Sequence, residues 1–296
     1  MKIENEEIQV EVSLHGAEMT RIAKKGKEYL WCGDAQYWGR HAPILFPIVG
    51  KVYDGKYRIK GKEYGLPQHG FARDMDFELK EQGREEVTME LASNEETKSR
   101  YPYPFVLSAA YRLDGGRIAV RWTVENRTET VMDYQIGAHP AFNYAAFDPE
   151  EERHGGLRLL RKEGDGYRPV EGVEVRGFSR EGYATAEQNR IELKQGRMAM
   201  TDALFAKGAL ILENRQVQKA ILEDKEGQPM LAMTFDKAPV LGIWSPEGKR
   251  APFVCIEPWA GRCDREGYDG EFGEREWMNH LAPHSLQQFE YDIEIY

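Results

Sequence analysis

The sequence predicts an all-β protein, a large antiparallel β-sandwich with very little helix. Three observations carry this. Apolar residues recur with a period of two, helical signal is scarce, and glycine-rich turns punctuate the chain at short intervals. Ile8, Val10 and Val12 are apolar between Gln9 and Glu11. Phe105, Leu107, Ala109 and Tyr111 alternate in the same way, as do Ile118, Val120, Trp122 and Val124 with Arg117, Arg121 and Thr123 on the other face. Phe289, Tyr291, Ile293 and Ile295 close the chain with the same pattern. A period of two places one face of each strand in a core. Val217–Leu222 and Val240–Trp244 read as central strands.

Helix is expected at one place. Ser93-Asn94-Glu95-Glu96 reads as a capping box, and Pro102 and Pro104 limit the helix to one or two turns. Turns are expected at Asp54-Gly55, Asp114-Gly115-Gly116, Gly155-Gly156, Asp165-Gly166 and Glu226-Gly227. Residues 150–197 form the most polar and irregular stretch, an insertion or a long excursion. No repeat or linker divides the chain, so one domain over residues 1–296 is expected.

Composition narrows the function. The 296 residues are 41% apolar and 30% charged, with a net charge of −10. That balance supports a sizeable core and disfavours phosphate backbones and anionic lipid as partners, so neither nucleic acid nor membrane is expected. No apolar run reaches a membrane-spanning length, and the acidic start Met1–Glu7 lacks a signal core. Three sparse cysteines, Cys32, Cys255 and Cys263, are no disulfide framework and suit a reducing cytoplasm.

Three segments break the strand pattern. Leu66-Pro67-Gln68-His69-Gly70-Phe71-Ala72-Arg73-Asp74 presents His69 on a shaped turn beside Gln68 and Arg73, either for a polar ligand or as a plain surface loop. Gly137-Ala138-His139-Pro140-Ala141-Phe142-Asn143 surrounds His139 with apolar and aromatic residues. It is a poised titratable group or a satisfied core histidine. Cys255-Ile256-Glu257-Pro258-Trp259-Ala260-Gly261-Arg262 puts Glu257 in an apolar run, where a carboxylate is either functional or bridged, with Arg262 a candidate partner. Trp259 could stack on a ligand, though core is the simpler reading. Arg40-His41 and Asp202 each precede an apolar run, which by itself is ordinary strand-end polarity. Nucleotide-binding, P-loop and GxSxG signatures are missing, and Pro283 interrupts the His280/His284 pair, so no metal or cofactor is expected.

At these residues the chain resembles the aldose 1-epimerase (galactose mutarotase) family. The matching segments are RHAPILFPIVG at Arg40–Gly50, LPQHGFARD at Leu66–Asp74, GAHPAFN at Gly137–Asn143, TDALF at Thr201–Phe205 and CIEPWAGR at Cys255–Arg262, in the family's order. The resemblance implies a mutarotase-like supersandwich with its site on the concave face of one sheet. It implies Glu257 as the base at the sugar's O1, His139 as the acid at the ring oxygen and His69 as a sugar ligand supporting the open chain. Arg40 and Asp202 become ligands of sugar hydroxyls, with Gln68 and Arg73 in the same motif. The implied substrate is a free hexose such as galactose or glucose, the implied cofactor none, and the chain a monomer or homodimer. Pro140 and Pro258-Trp259 depart from the better-known branch, so hydroxyl selectivity does not carry over. A related branch acts on hexose 6-phosphates, for which Lys51, Arg58, Lys60 and Arg73 would be the clamp. A sugar-binding protein without catalysis is the remaining alternative.

Overall fold

The computed structural model describes residues 1–296. Two large antiparallel sheets dominate. The ten-stranded sheet runs Gly166–Pro169, Arg153–Glu163, Lys219–Glu223, Pro229–Thr234, Leu286–Ile295, Arg117–Asn126, Phe105–Asp114, Glu86–Ala92 and Glu78–Gln82, and Arg197–Thr201 joins it beside Arg153–Glu163. The eight-stranded sheet runs Ala184–Glu192, Gly172–Phe178, Leu210–Leu212, Val240–Trp244, Phe253–Ala260, Ile136–Ala138 and Ile44–Leu45, with Ala141–Asn143 also on Phe253–Ala260. A four-stranded sheet from Lys2–Glu4 to Lys27–Glu28 packs at one side.

The core lies between the large sheets. Leu107, Val120 and Ile293 from one meet Leu241, Val254 and Ile256 from the other in one cluster that also takes in Ile3 and Ile295. The alternating residues expected to face inward do so in Phe105–Asp114, Arg117–Asn126 and Leu286–Ile295. Burying these side chains removes apolar surface from water at roughly 25 cal/mol per Å². No helix is long and apolar enough to cross a membrane.

Several local expectations shift. The helix is Glu95–Arg100, but its cap is Asn94, whose side chain accepts from Thr97 N–H at 2.9 Å while Thr97 Oγ1 accepts from Asn94 N–H at 2.8 Å. Ser93 Oγ accepts from Phe105 N–H instead. Gly155-Gly156 is no turn. It lies inside Arg153–Glu163, where the pairing register shifts between Arg153 and Gly155. Residues 150–197 are not irregular either: they supply strands to both sheets. Their polarity reflects position, since Ala184–Glu192 and Gly166–Pro169 are edge strands with one side open to water.

Candidate active site

The site is built on Phe253–Ala260, an interior strand of the eight-stranded sheet with seven of its eight residues buried. Val254 and Ile256 enter the inter-sheet core. Phe253, Cys255, Glu257 and Trp259 alternate onto the other face, where Phe253 and Cys255 join one small apolar cluster and Trp259 another. Glu257 therefore sits between two apolar patches and is 1% exposed.

His139 arrives opposite it by register. Gly137 pairs with Trp259 and Ala141 with Cys255, and continuing the ladder sets His139 across from Glu257. On the other flank Gly242 pairs with Glu257. The ladder breaks at His139-Pro140 because proline lacks an N–H. Pro258 also lacks one, opposite Ala138, and the Trp259 indole N–H donates to Ala138 C=O at 3.1 Å in its place. Trp259 is 4% exposed, a core residue.

His69 comes from the loop at Leu66–Phe71. Gly70 has φ +71°, and a Cβ there would lie 2.2 Å from Phe46 C=O, so only glycine lets the loop dock this closely. His69 N–H donates to Gly50 C=O at 2.7 Å, and Gly50 N–H donates to His69 Nδ1 at 3.1 Å. With Nδ1 an acceptor, the neutral ring carries its proton on Nε2. The Gln68 amide lies 3.2 Å from that Nε2.

The rings converge. His139 Nε2 is 3.2 Å from Glu257 Oε2. His69 and His139 meet edge to face with centroids 5.6 Å apart. Trp38 stacks on His139 at 4.8 Å, and Trp244 meets it edge-on at 5.5 Å.

Burial shapes the protonation states. It pushes the Glu257 carboxyl well above its usual range, against a partial pull from Trp259. Burial lowers His139 to about 3, aided by the charges of Arg73 and Arg40 and opposed by a backbone contact. His69 is held well below its usual value by burial first, then by His139, Arg73, Arg40 and Lys51. Burial thus favours the neutral form of each group, carboxyl and imidazole, in the ligand-free site. Glu257 Oε2 and His139 Nδ1 have no hydrogen-bond partner. Buried polar atoms are rarely left so, and both belong to the Glu257–His139 pair.

The remaining predicted residues divide. Arg40 Nη2 pairs with Asp74 at 2.7 Å, and Arg73 Nη2 donates to Gln68 C=O at 2.7 Å. Burial lowers Arg73 to about 10, with Arg40 adding to the effect. Asp202 is not brought onto the pair. It lies 3.2 Å from His154 Nε2 and 3.6 Å from Arg250. Of the candidate clamp cations, Lys51 and Arg73 act on His69, while Lys51 Nζ also donates to Glu181 C=O as Arg58 does to Asp269 C=O. Arg262 is not the partner of Glu257, because it pairs with Glu213 and Glu276. His280 and His284 pair separately with Asp133 and Glu129. Sequence reasoning missed Trp38 and Trp244, since lone tryptophans carry no local mark of facing a histidine.

A buried carboxyl–imidazole pair, with a second histidine beside it, thus lies on one face of a large β-sandwich. The chain belongs to the aldose 1-epimerase family, whose profile matches residues 1–272. It is 33% identical to a galactose mutarotase related enzyme from Lactobacillus acidophilus, with a TM-score of 0.90 over 100% of this chain and 97% of that one. A galactose mutarotase-like protein from Lactobacillus casei is 30% identical, with a TM-score of 0.91 over 100% and 99% of the two chains. Protein LacX (chromosomal) of Lactococcus lactis is 30% identical over 100% of this chain and 99% of its own length.

Proposed function

We propose that the protein interconverts the α and β anomers of a hexose. The observation that carries this is the Glu257–His139 contact at 3.2 Å, between two groups whose proton affinities burial moves in opposite directions. Opening a hemiacetal takes a proton from O1 and gives one to the ring oxygen. Transfer of the Glu257 carboxyl proton to His139 as sugar binds makes Glu257 the base and the imidazolium the acid. C1–C2 rotation and the reverse transfers then close the ring on the other face. His69 Nε2–H donates to a sugar oxygen, and Arg40, Arg73, Gln68 and Asp202 serve as hydroxyl ligands at the cleft and its margin. No cofactor takes part. One domain in the cytoplasm, acting alone or as a homodimer, suffices.

Polarimetry of freshly dissolved α-galactose and α-glucose tests this. The protein should speed mutarotation, and Glu257→Gln should remove about 10²–10⁴-fold of the rate without unfolding the chain. Unchanged mutarotation across a panel of aldoses would leave a sugar-binding protein without catalysis. A fully active Glu257→Gln variant would overturn the base assignment.

A second reading keeps the chemistry and places a phosphate on the sugar. Arg40, Arg73 and Lys51 all act on His69, so positive charge gathers on that side of the cleft. Higher kcat/KM for glucose 6-phosphate than for glucose, lost on Arg73→Glu only for the phosphorylated sugar, would favour it.

A further inference from the structure

Cys255 takes no part in anomer interconversion, yet it lies two residues before Glu257 on the same strand face. His139, Cys255 and Glu257 each bring one metal-binding atom, and these atoms all lie within 4.8 Å of one another. We propose that these three residues form a site for a thiophilic divalent cation, Zn²⁺ fitting best. Occupation of the site would withdraw the acid–base pair from catalysis.

The donor set supports this. Imidazole, thiolate and carboxylate are the ligands Zn²⁺ takes in three-ligand sites that keep a fourth position open. Bonds of 2.0–2.3 Å in a tetrahedron put donor atoms roughly 3.3–3.8 Å apart, so side-chain adjustments of about 1 Å close the set. An independent observation points the same way: Glu257 Oε2 is buried with no hydrogen-bond partner. A bound cation would satisfy it.

The charges also balance. Zn²⁺ with one thiolate, one carboxylate and a neutral imidazole is neutral overall. Metal binding takes the Cys255 thiol and the Glu257 carboxyl as anions and releases the protons they carry. Neutrality matters because Arg40 and Arg73 already act on His139 and would resist added positive charge. Trp38 and Trp244, both half-buried, pack against the His139 ring.

Cobalt and zinc binding to the full chain test this, in a Cys32→Ser background that removes the exposed thiol. Co²⁺ should give a thiolate-to-metal charge-transfer band together with the visible bands of a tetrahedral ion. Calorimetry should show one Zn²⁺ per chain, and Cys255→Ala should abolish the band. A lost ligand should weaken Zn²⁺ binding at least as much as a lost outer partner, by about 10–100-fold or more. No charge-transfer band in the Cys32→Ser protein would overturn the proposal, as would less than a tenfold loss of Zn²⁺ affinity in Cys255→Ala. The cobalt spectrum stands even if Cys255→Ala does not fold. Neither readout depends on the protein being a mutarotase.

Discussion

Trp259 lies flat across two strand neighbours, Gly137 and Gly242. A Cβ on either glycine would fall 2.5 or 2.6 Å from the indole, so both positions must stay bare for the ring to lie there. The same indole supplies the bond that Pro258 cannot make to Ala138. One tryptophan thus closes the ladder around Glu257 and borders its carboxyl. Gly242→Ala should cost about 1–3 kcal/mol by overpacking, read as a lower urea midpoint at unchanged slope. It should also reduce activity, because Gly242 pairs directly with Glu257. An unchanged midpoint would mean that the indole can turn aside. None of this is legible in CIEPWAGR alone, since the glycines come from segments far away in the chain.

At the scale of elements, buried ion pairs hold the strands that carry the site. Glu213 follows Leu210–Leu212 and accepts from Arg176 of the neighbouring strand at 2.6 Å. It also accepts from Arg262, just beyond Phe253–Ala260, at 2.7 Å, and from Trp277 at 3.0 Å. Arg262 is 1% exposed, and Glu276 is its second acidic partner. Glu213→Ala would leave buried guanidinium charge short of a partner and should cost about 3–5 kcal/mol in chemical denaturation. A loss under about 1 kcal/mol would show that Glu276 suffices. Gln135 does a related job. Its Oε1 accepts from Val49 N–H at 3.1 Å and its Nε2 donates to Glu276 C=O at 3.0 Å, which fixes the segment whose next residue, Gly50, binds His69. The strands themselves were readable from alternation. These links were not, because they join residues dozens of positions apart.

For the whole molecule, burying the histidines has a pH signature. An unfolded histidine binds a proton near pH 6.5. Folded His139 waits until about 3, and folded His69 shifts in the same direction. Between those values the unfolded histidines bind more protons, so their contribution to stability is full above 6.5 and is lost as pH falls toward 3. His139→Gln removes its share. Its urea midpoint, measured with chelator present, should therefore gain on the wild type as pH drops from 7 to 5. A constant difference between the two proteins would show that His139 titrates normally in the fold.

Alternation by itself determined the β class and which face of Phe105–Asp114, Arg117–Asn126 and Leu286–Ile295 is buried, because the period of side-chain burial is a local property of strands. The motifs determined which histidines and which glutamate to examine. Tertiary structure decided the rest. It turned the polar residues 150–197 into strands of both large sheets, two of them edge strands, gave Asp202 to His154 and Arg250, and gave Arg262 to Glu213. It also set His139 across from Glu257, with Cys255 alongside. Strand register made that last meeting, and register depends on the pairing of whole strands, which no short segment contains.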